Sequence, residues 1–480
     1  MHDPRACACP TLPALGALAL TLASCVGKEP DPDIPATGGV ETGLIETGDP
    51  AAPDLLLIAD TSHGRYLFVR PDTATIVHQV SLATLNPDLC TDAVCAAFVA
   101  WPTLGAELDE ITLSFAPNTD GASYAAVIER VRLGEDEDTV LWRLDSLDFL
   151  SNFPDRPEIC AQIAPCEVPE DADETVRRKC RLQLSHEAKV VSEDDGSVAL
   201  WIADTEGPAR AIKVRLDKGS TCGVVEDVLS EETAARWAGY QAINDLDLVD
   251  LGDGRETLLL NSLSHDSDEG LASVTLWQAI DGLWTPLWQH PSEASGGFLG
   301  AAHNPDWITD SDGASYIVYA HSNGMGAHPE VRSFTGADDH RGSIGLARVT
   351  PEGAEYLVDA ALPGQFGFLR DVNRLADGSF LVTDSGCMHP DDTDCSNPGQ
   401  LWRVALPELS SLSPSGRSGA FTASHGDMDV IVATPLTVGA RSPLTCGLFT
   451  PYSAQFMPGA SLGATLRAML DSPGEACPTE

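Results

Sequence analysis

Basic residues are scarce in this sequence. Its 480 residues include 28 Lys and Arg, against 72 Asp and Glu, which gives a formal net charge of −44 at pH 7. A nucleic-acid-binding surface needs a stripe of basic side chains that neutralises phosphates, and five lysines in the whole chain cannot supply one. An anionic membrane surface repels such a polyanion for the same reason. The composition therefore argues against nucleic acid as a partner.

Common enzyme signatures are also missing. The chain has no H-E-x-x-H, no P-loop and no G-x-G-x-x-G between a strand and a helix. These absences remove the usual signs of a zinc protease or a nucleotide-binding enzyme. At 43% hydrophobic residues, the chain is nevertheless apolar enough to fold.

The N-terminus predicts export. Residues 12–24 form an uncharged apolar run that is too short to span a membrane and is typical of a signal-peptide core. Leu22-Ala23-Ser24-Cys25 resembles the bacterial lipobox, which implies a lipid on Cys25 and removal of residues 1–24. Residue 26 is Val rather than Asp, which resembles the pattern in Gram-negative lipoproteins that are sorted to the outer membrane. We therefore predict a lipid-anchored outer-membrane protein, with an ordinary secretory signal as the alternative.

An acidic tether follows. Residues 25–53 consist mainly of Pro, Gly, Thr and acidic residues, a composition that cannot bury a core. We expect this stretch to be disordered and to hold the folded body, residues 54–480, away from the membrane.

Ten cysteines remain in the mature chain, an even number that favours disulfides in an exported protein. Paired C-x-x-C knuckles, which would indicate zinc, are absent. Spacing does not fix the connectivity. The pairs that we predict are Cys90–Cys95, Cys160–Cys166, Cys180–Cys222, Cys387–Cys395 and Cys446–Cys477.

The folded body reads as short strands separated by Asp, Gly, Asn and Pro clusters. One pattern recurs: an apolar strand that ends in a small or acidic residue, a polar turn, and a second strand, as in residues 55–72 and 199–217. The second strands centre near 57, 127, 202, 260, 318 and 382, a near-regular spacing typical of a β-propeller. We predict an all-β propeller of six blades, with seven as the alternative. Residues 427–435 would close the ring, and residues 462–470 would form the one good helix.

Two propeller families have similar repeats. Residues 57–73, LIADTSHGRYLFVRPDT, resemble the NHL-type repeat. Three segments, in which a polar residue opens an inner strand and an Asp-Gly turn follows, resemble arylsulfotransferase-like propellers: 184–205, 302–322 and 369–385. The second resemblance implies transfer of a sulfuryl group through a channel histidine. It points to His186 as the nucleophile, His303 as an oxyanion donor and Arg370 as an anion clamp. The alternative is that these side chains only hydrogen-bond the turns around the pore.

Acidic turns offer a second chemistry. The turns at 309–315 and 389–395 place carboxylates two residues apart beside glycine or a polar residue, an arrangement that suits calcium. The candidate ligands are Asp310, Asp312, Asp391 and Asp394. Ordinary Asp-Gly hairpins explain the same residues, so calcium is a hypothesis here.

The function expected from the sequence is binding or scaffolding. We expect the loops on one face of the ring to recognise an unknown protein, glycan or small-molecule ligand at the cell envelope. The runner-up is an arylsulfotransferase-like enzyme that uses the three polar residues named above.

Overall fold

The computed structural model describes residues 53–475 with gaps, the longest of which are 149–184, 323–341, 385–399 and 440–450. The signal peptide, Cys25 and the tether therefore lie outside the described residues, and the lipoprotein assignment stays a prediction. No helix in the described part of the chain has the length and apolarity needed to cross a bilayer.

The described residues are almost entirely strand. Two short α-helices are present, α1 (Leu82–Leu85) and α2 (Ala464–Leu470). The strands are β1 (Leu55–Asp60), β2 (Arg65–Arg70), β3 (Thr75–Ser81), β4 (Ala96–Val99), β5 (Thr103–Leu104), β6 (Glu110–Pro117), β7 (Val127–Arg132), β8 (Thr139–Leu144), β9 (Ser146–Asp148), β10 (Ser185–Asp194), β11 (Ser197–Asp204), β12 (Arg210–Leu216), β13 (Cys222–Leu229), β14 (Ala242–Leu248), β15 (Thr257–Leu263), β16 (Ser273–Ile280), β17 (Leu283–His290), β18 (Ala301–Thr309), β19 (Ser315–Ser322), β20 (Gly342–Thr350), β21 (Gly353–Ala361), β22 (Leu369–Arg374), β23 (Phe380–Asp384), β24 (Gln400–Val404), β25 (Phe421–Thr422), β26 (Met428–Val432), β27 (Thr437–Gly439), β28 (Pro451–Met457) and β29 (Gly474–Glu475).

These strands form six sheets, which we number along the chain. Sheet 1 has the order β28-β1-β2-β3, sheet 2 β4-β6-β7-β8, sheet 3 β10-β11-β12-β13, sheet 4 β14-β15-β16-β17, sheet 5 β18-β19-β20-β21 and sheet 6 β22-β23-β24-β26. All these neighbours are antiparallel. Short extra strands lengthen sheets 1, 3 and 5 at their outer edges.

The apolar core lies between the sheets, and it runs around a closed ring. Six hydrophobic clusters are present, and each joins two successive sheets. The cluster that contains Leu56 and Ile58 joins sheet 1 to sheet 6 through Leu381 and Leu401, which completes the circle. Since each sheet packs on both faces, its second strand is buried along its length, as in Leu55–Asp60. This arrangement is a β-propeller.

Ring closure differs from the sequence prediction. Residues 427–435 do not pair with β1: Met428–Val432 is the outermost strand of sheet 6. The strand next to β1 is Pro451–Met457, in register Leu57 with Gln455. Both segments are short and apolar, and the sequence carries no sign of which of them reaches the first sheet.

Sheet 2 differs as well. We expected residue 127 to mark a second strand, but Val127–Arg132 is the third strand, and Glu110–Pro117 lies between it and the axis. The segment 86–108 was expected to be an insertion, yet it carries the two innermost strands, β4 and β5. The other five expected centres fall in second strands. Both apolar strands of sheet 2 are buried on both faces, so their patterns do not reveal their order from the axis.

The connections differ between the two faces of the ring. In an antiparallel sheet, the first strand begins, the second ends, the third begins and the fourth ends on the same face. We call this the long-connection face, because segments such as 149–184, 323–341 and 385–399 join strand ends there. The opposite face has mostly tight turns, among them Asp281-Gly282 and Asp310–Ala314.

Two further expectations can be placed. The predicted helix is present as Ala464–Leu470, and Leu466 and Met469 pack into the core between sheets 1 and 2. Cys90 and Cys222 are disulfide-bonded. Their predicted partners, Cys95 and Cys180, lie outside the described residues, as do the cysteines of the other three pairs, so the connectivity stays a prediction.

Candidate functional site

Buried polar residues occupy the innermost strands of sheets 3 to 6 and of sheet 1. Each set begins at the second or third residue of its strand, near the end that faces the long-connection side of the ring. A shared pattern underlies them: a polar residue, then an acid or its amide or hydroxyl counterpart, then an apolar residue, then a second polar residue. The copies are His186-Glu187-Ala188-Lys189, Asn244-Asp245-Leu246-Asp247, His303-Asn304-Pro305-Asp306, Arg370-Asp371-Val372-Asn373 and Tyr452-Ser453-Ala454-Gln455. We call the second and fourth residues of these copies, together with Asn244, His303 and Arg370, the axial cluster; the side chains of His186 and Tyr452 lie outside the described set.

The second residue of the pattern links each sheet to the next. Glu187 Oε2 accepts a hydrogen bond from the backbone N–H of Leu246 at 2.8 Å, which joins sheet 3 to sheet 4. Asp245 Oδ2 accepts from the backbone N–H of Asn304 at 3.1 Å, which joins sheet 4 to sheet 5. A charged carboxylate accepts stronger hydrogen bonds than a neutral oxygen does, and the low dielectric of the interior strengthens them further.

Asn304 continues this chain of contacts into sheet 6. Its side-chain amide donates to Asp371 Oδ1. Asp371 Oδ2 in turn accepts from Asn373 Nδ2 at 2.8 Å and lies 3.5 Å from the backbone nitrogen of Ala454 in sheet 1. Asn304 has a φ of 46°, a left-handed conformation that asparagine tolerates better than other residues with a side chain. It sits at an irregularity in β18, where the register shifts between His303 and Asp306.

The fourth residue of the pattern forms a second group. Lys189 Nζ lies 3.1 Å from Asp247 Oδ1 and 3.2 Å from Glu187 Oε1. Asp306 belongs to the same group, since Asp247, Lys189, Asp371 and Glu187 all act on its charge. Its Oδ1 atom is buried and accepts no hydrogen bond. Asp247 Oδ2 is in the same situation.

The acids of the cluster have raised pKa values. Burial raises the pKa of Glu187 to about 7, although Lys189 opposes the shift. Burial also raises the pKa of Asp306 well above its usual range, and the negative charge of Asp247 adds to the effect. The pKa of Asp371 is raised well above its usual range by burial, against the hydrogen bond from Asn304. Removal from water penalises the charged form in each case.

Acidic side chains outnumber basic ones in the cluster. Five carboxyl groups on these strands are buried, against two buried basic side chains, Lys189 and Arg370. The carboxyl groups belong to Glu187, Asp245, Asp247, Asp306 and Asp371. The raised pKa values of three of these acids mean that protons neutralise part of this excess. Such a centre suits hydroxyl-bearing groups, which form hydrogen bonds with both charged and neutral carboxyl groups.

The three residues predicted to be catalytic lie at equivalent positions. His303 and Arg370 each open the pattern on adjacent innermost strands, and both have 0% exposure. His186 opens the pattern on β10, and its side chain is outside the described set. The resemblance to arylsulfotransferase-like propellers pointed to these first residues of the pattern. The acids one and three positions later were not predicted, although the spacing i, i+1, i+3 recurs in five segments and could have revealed them.

The acidic turn residues do not form a cation site in the described part of the chain. Asp310 accepts a hydrogen bond from Arg374 NH2 at 2.8 Å and so joins sheets 5 and 6. Asp312, Asp391 and Asp394 lie outside the described residues. Among the residues that the structure describes, no three His, Cys, Asp or Glu side chains are grouped as metal ligands. The calcium hypothesis stays untested.

No family model matches the sequence, and no curated protein matches it. The fold is similar to solved propeller-like structures at low identity. A protein named for 6-phosphogluconolactonase activity, from Bacteroides uniformis, is 12% identical over 84% of this chain and 99% of its own, with a TM-score of 0.40. A GH43 β-1,3-galactosidase is 11% identical over 67% and 95%, with a TM-score of 0.34. An exo-β-1,3-galactanase from Clostridium thermocellum is 11% identical over 67% and 61%, with a TM-score of 0.35. Likeness at this level carries no information about activity.

Proposed function

We propose that this protein is a binding module of the cell envelope that recognises its ligand through the long-connection face of the propeller. The observation that carries the proposal is the asymmetry of the ring, in which most long segments join strand ends on the long-connection face. The opposite face has mostly tight turns, although the long segment 405–427 also lies there. Rigid scaffolds commonly carry recognition on loops of this kind.

In this proposal, the residues of the axial cluster stabilise the ring and do not carry out chemistry. Its acids and amides bond successive sheets to one another, and His303 and Arg370 are fully buried. A nucleophile must meet its substrate, and fully buried side chains are poorly placed to accept a sulfuryl group. We therefore favour binding over the sulfotransferase alternative.

The ligand that the proposal favours carries hydroxyl or cationic groups. The chain as a whole has a net charge of −44, so an anionic partner would be repelled at long range. A neutral glycan or a basic protein segment fits this charge. A lipid on Cys25 would hold the module at the outer membrane, as the sequence predicts.

Binding can be tested with an immobilised panel of neutral glycans and basic peptides. A variant in which an Asn-Gly turn replaces residues 323–341 should lose at least tenfold in affinity for the probe that binds. Asp281→Asn, on the opposite face, is the matched control and should bind normally. Equal loss in both variants, or retention by the shortened variant, would contradict recognition through this face.

Catalysis can be tested separately. Purified protein should not transfer a sulfuryl group from an aryl sulfate to a phenol above the rate without protein. Transfer that disappears in His303→Ala, with folding intact by circular dichroism, would instead support the enzyme alternative.

A further inference from the structure

Lys189 is placed unusually for a lysine. It is 5% exposed, and its ammonium lies against two carboxylates, one from its own strand and one from the next sheet. Asp247 is 3% exposed and Glu187 is 1% exposed, so the three groups meet in a site closed to bulk water. Lysine is seldom buried to this extent, and its amine loses a proton and reacts more easily than the guanidinium of arginine does.

The contact between Lys189 and Asp247 brings together the two components of an amide. Nζ lies 3.1 Å from Oδ1 and is therefore close to the carboxyl carbon of Asp247, and strands β10 and β14 hold both residues in place. Oδ2 of Asp247 accepts no hydrogen bond from the residues that the structure describes, so none of these anchors the oxygen that would have to leave. Glu187 Oε1 lies 3.2 Å from the same nitrogen.

We propose that Lys189 and Asp247 condense into an intramolecular isopeptide bond that joins sheets 3 and 4 in the mature protein. The nitrogen lone pair attacks Cγ of Asp247, a C–N bond forms, and one C–O bond breaks. The departing oxygen leaves as water with two of the three ammonium protons, and the third proton remains on the amide. The reaction therefore needs no oxidant, no cofactor and no external proton.

Glu187 is the group that moves the proton. A neutral amine is required for attack, and Glu187 Oε1 is 3.2 Å from the nitrogen that must lose its proton. A pKa of about 7 allows this carboxylate to accept that proton and to return it to the leaving oxygen. Burial alone lowers the pKa of Lys189, but Asp247 and Glu187 outweigh that effect and raise it. Attack is slowed as a result, which matters little for a bond that each molecule forms once.

Burial favours the product. The ion pair places opposite charges in a low-dielectric interior, where the cost of desolvating them offsets much of their attraction. Condensation replaces both charges with a neutral amide and releases a water molecule. After condensation, Lys189 no longer places a positive charge beside Glu187, so burial favours the protonated form of this acid.

A second lysine provides an internal control. Lys213 also pairs with an acid of sheet 4, Glu256, and the two side chains are 20% and 37% exposed. Water reaches this pair, because both side chains are partly exposed. Under the same chemistry, Lys213 should remain a free amine.

Peptide mapping of the denatured wild-type protein tests the proposal. Trypsin cannot cut after an acylated lysine, so residues 182–210 should appear uncut at Lys189 and joined to residues 237–255, at a combined mass lower by one water, about 18 Da. Cleavage after Lys213 should be normal. Recovery of free 182–189 together with unmodified 237–255 as the main products would overturn the proposal, whether or not any variant folds.

Two variants separate the roles. Asp247→Ala removes the carbonyl carbon and should restore full cleavage after Lys189. Glu187→Gln keeps both partners but removes the proton acceptor, and the cross-linked fraction should fall at least tenfold. Cross-linking that is unchanged in Glu187→Gln would overturn the assignment of the proton relay, and cross-linking that persists in Asp247→Ala would overturn the assignment of the acceptor.

Discussion

The side-chain amide of Asn304 donates a hydrogen bond to the carboxylate of Asp371, a residue 67 positions later on the innermost strand of the next sheet. The backbone N–H of Asn304 bonds Asp245 of the preceding sheet at 3.1 Å. One residue therefore connects three successive sheets around the axis, and it does so from a left-handed conformation.

Asn304→Gly and Asn304→Ala should separate these two contributions. Glycine keeps the positive φ and loses the amide, whereas alanine loses the amide and strains the backbone. We expect a loss of unfolding free energy of about 1–2 kcal/mol for glycine and about 1 kcal/mol more for alanine. Chemical denaturation measures both values. Equal stability of the two variants would show that the conformation of Asn304 costs nothing.

Stability should fall as pH rises through the neutral range. Glu187, with a pKa of about 7, and Asp306 and Asp371, with pKa values well above their usual range, hold protons in the folded protein that the unfolded chain releases near pH 4. Their contribution is fully present below the unfolded pKa and is lost as pH rises through the folded pKa.

Asp306→Asn tests that pH dependence, because an amide imitates the protonated acid. The wild-type unfolding free energy should decrease from about pH 5 to about pH 8, and the decrease should be smaller in the variant by about 1 kcal/mol or more, since one pKa unit corresponds to about 1.4 kcal/mol. Asp217→Asn, on an exposed turn, is the control and should leave the profile unchanged. A wild-type stability that rises over this interval would contradict the raised pKa values.

Buried ion pairs at the ends of second strands should be costly to break. Arg210 bonds Asp204 at 2.6 Å with side-chain exposures of 6% and 0%, and Arg65 bonds Asp60 at 2.7 Å in the same place in sheet 1. Arg210→Met leaves a buried carboxylate alone and should cost about 3–5 kcal/mol. Arg215→Met removes an exposed pair and should cost below about 1 kcal/mol. Thermal denaturation of the two variants compares them directly.

Strand β28 should be essential for folding. Pro451–Met457 pairs with β1 on the axial side of sheet 1, so a chain that ends at residue 450 exposes the edge of β1 and opens the ring. We expect that truncation to abolish cooperative unfolding, as followed by circular dichroism. Removal of residues 478–480 alone, which retains Cys477, is the control and should leave the transition intact. A cooperative transition in the longer truncation would show that the ring does not depend on this closure.

Much of the fold could be read from local patterns. The repeated run from an apolar strand that ends in a small or acidic residue, through a polar turn, to another strand predicted strand pairs at residues 55–72 and 199–217, and both pairs are present. The same run shows why the acid is there, since Asp60 and Asp204 pair with the arginines that follow. Sheet 2 was misread because it lacks this acid and arginine.

The site was harder to predict. The sequence pattern pointed to His186 and His303 as functional residues. The acids and amides beside them make the contacts that join the sheets. An isolated acid in a strand resembles a solvated residue in sequence, and its burial becomes visible only when strands from several sheets meet at the axis.

The sequence by itself determined the all-β character, the approximate repeat length and the excess of negative charge, because these depend on composition and on contacts between neighbouring strands. Only the tertiary structure decided which segment closes the ring and which polar residues meet. Lys189 and Asp247 are 58 residues apart, and closure of the ring around its axis is what brings their charges to 3.1 Å.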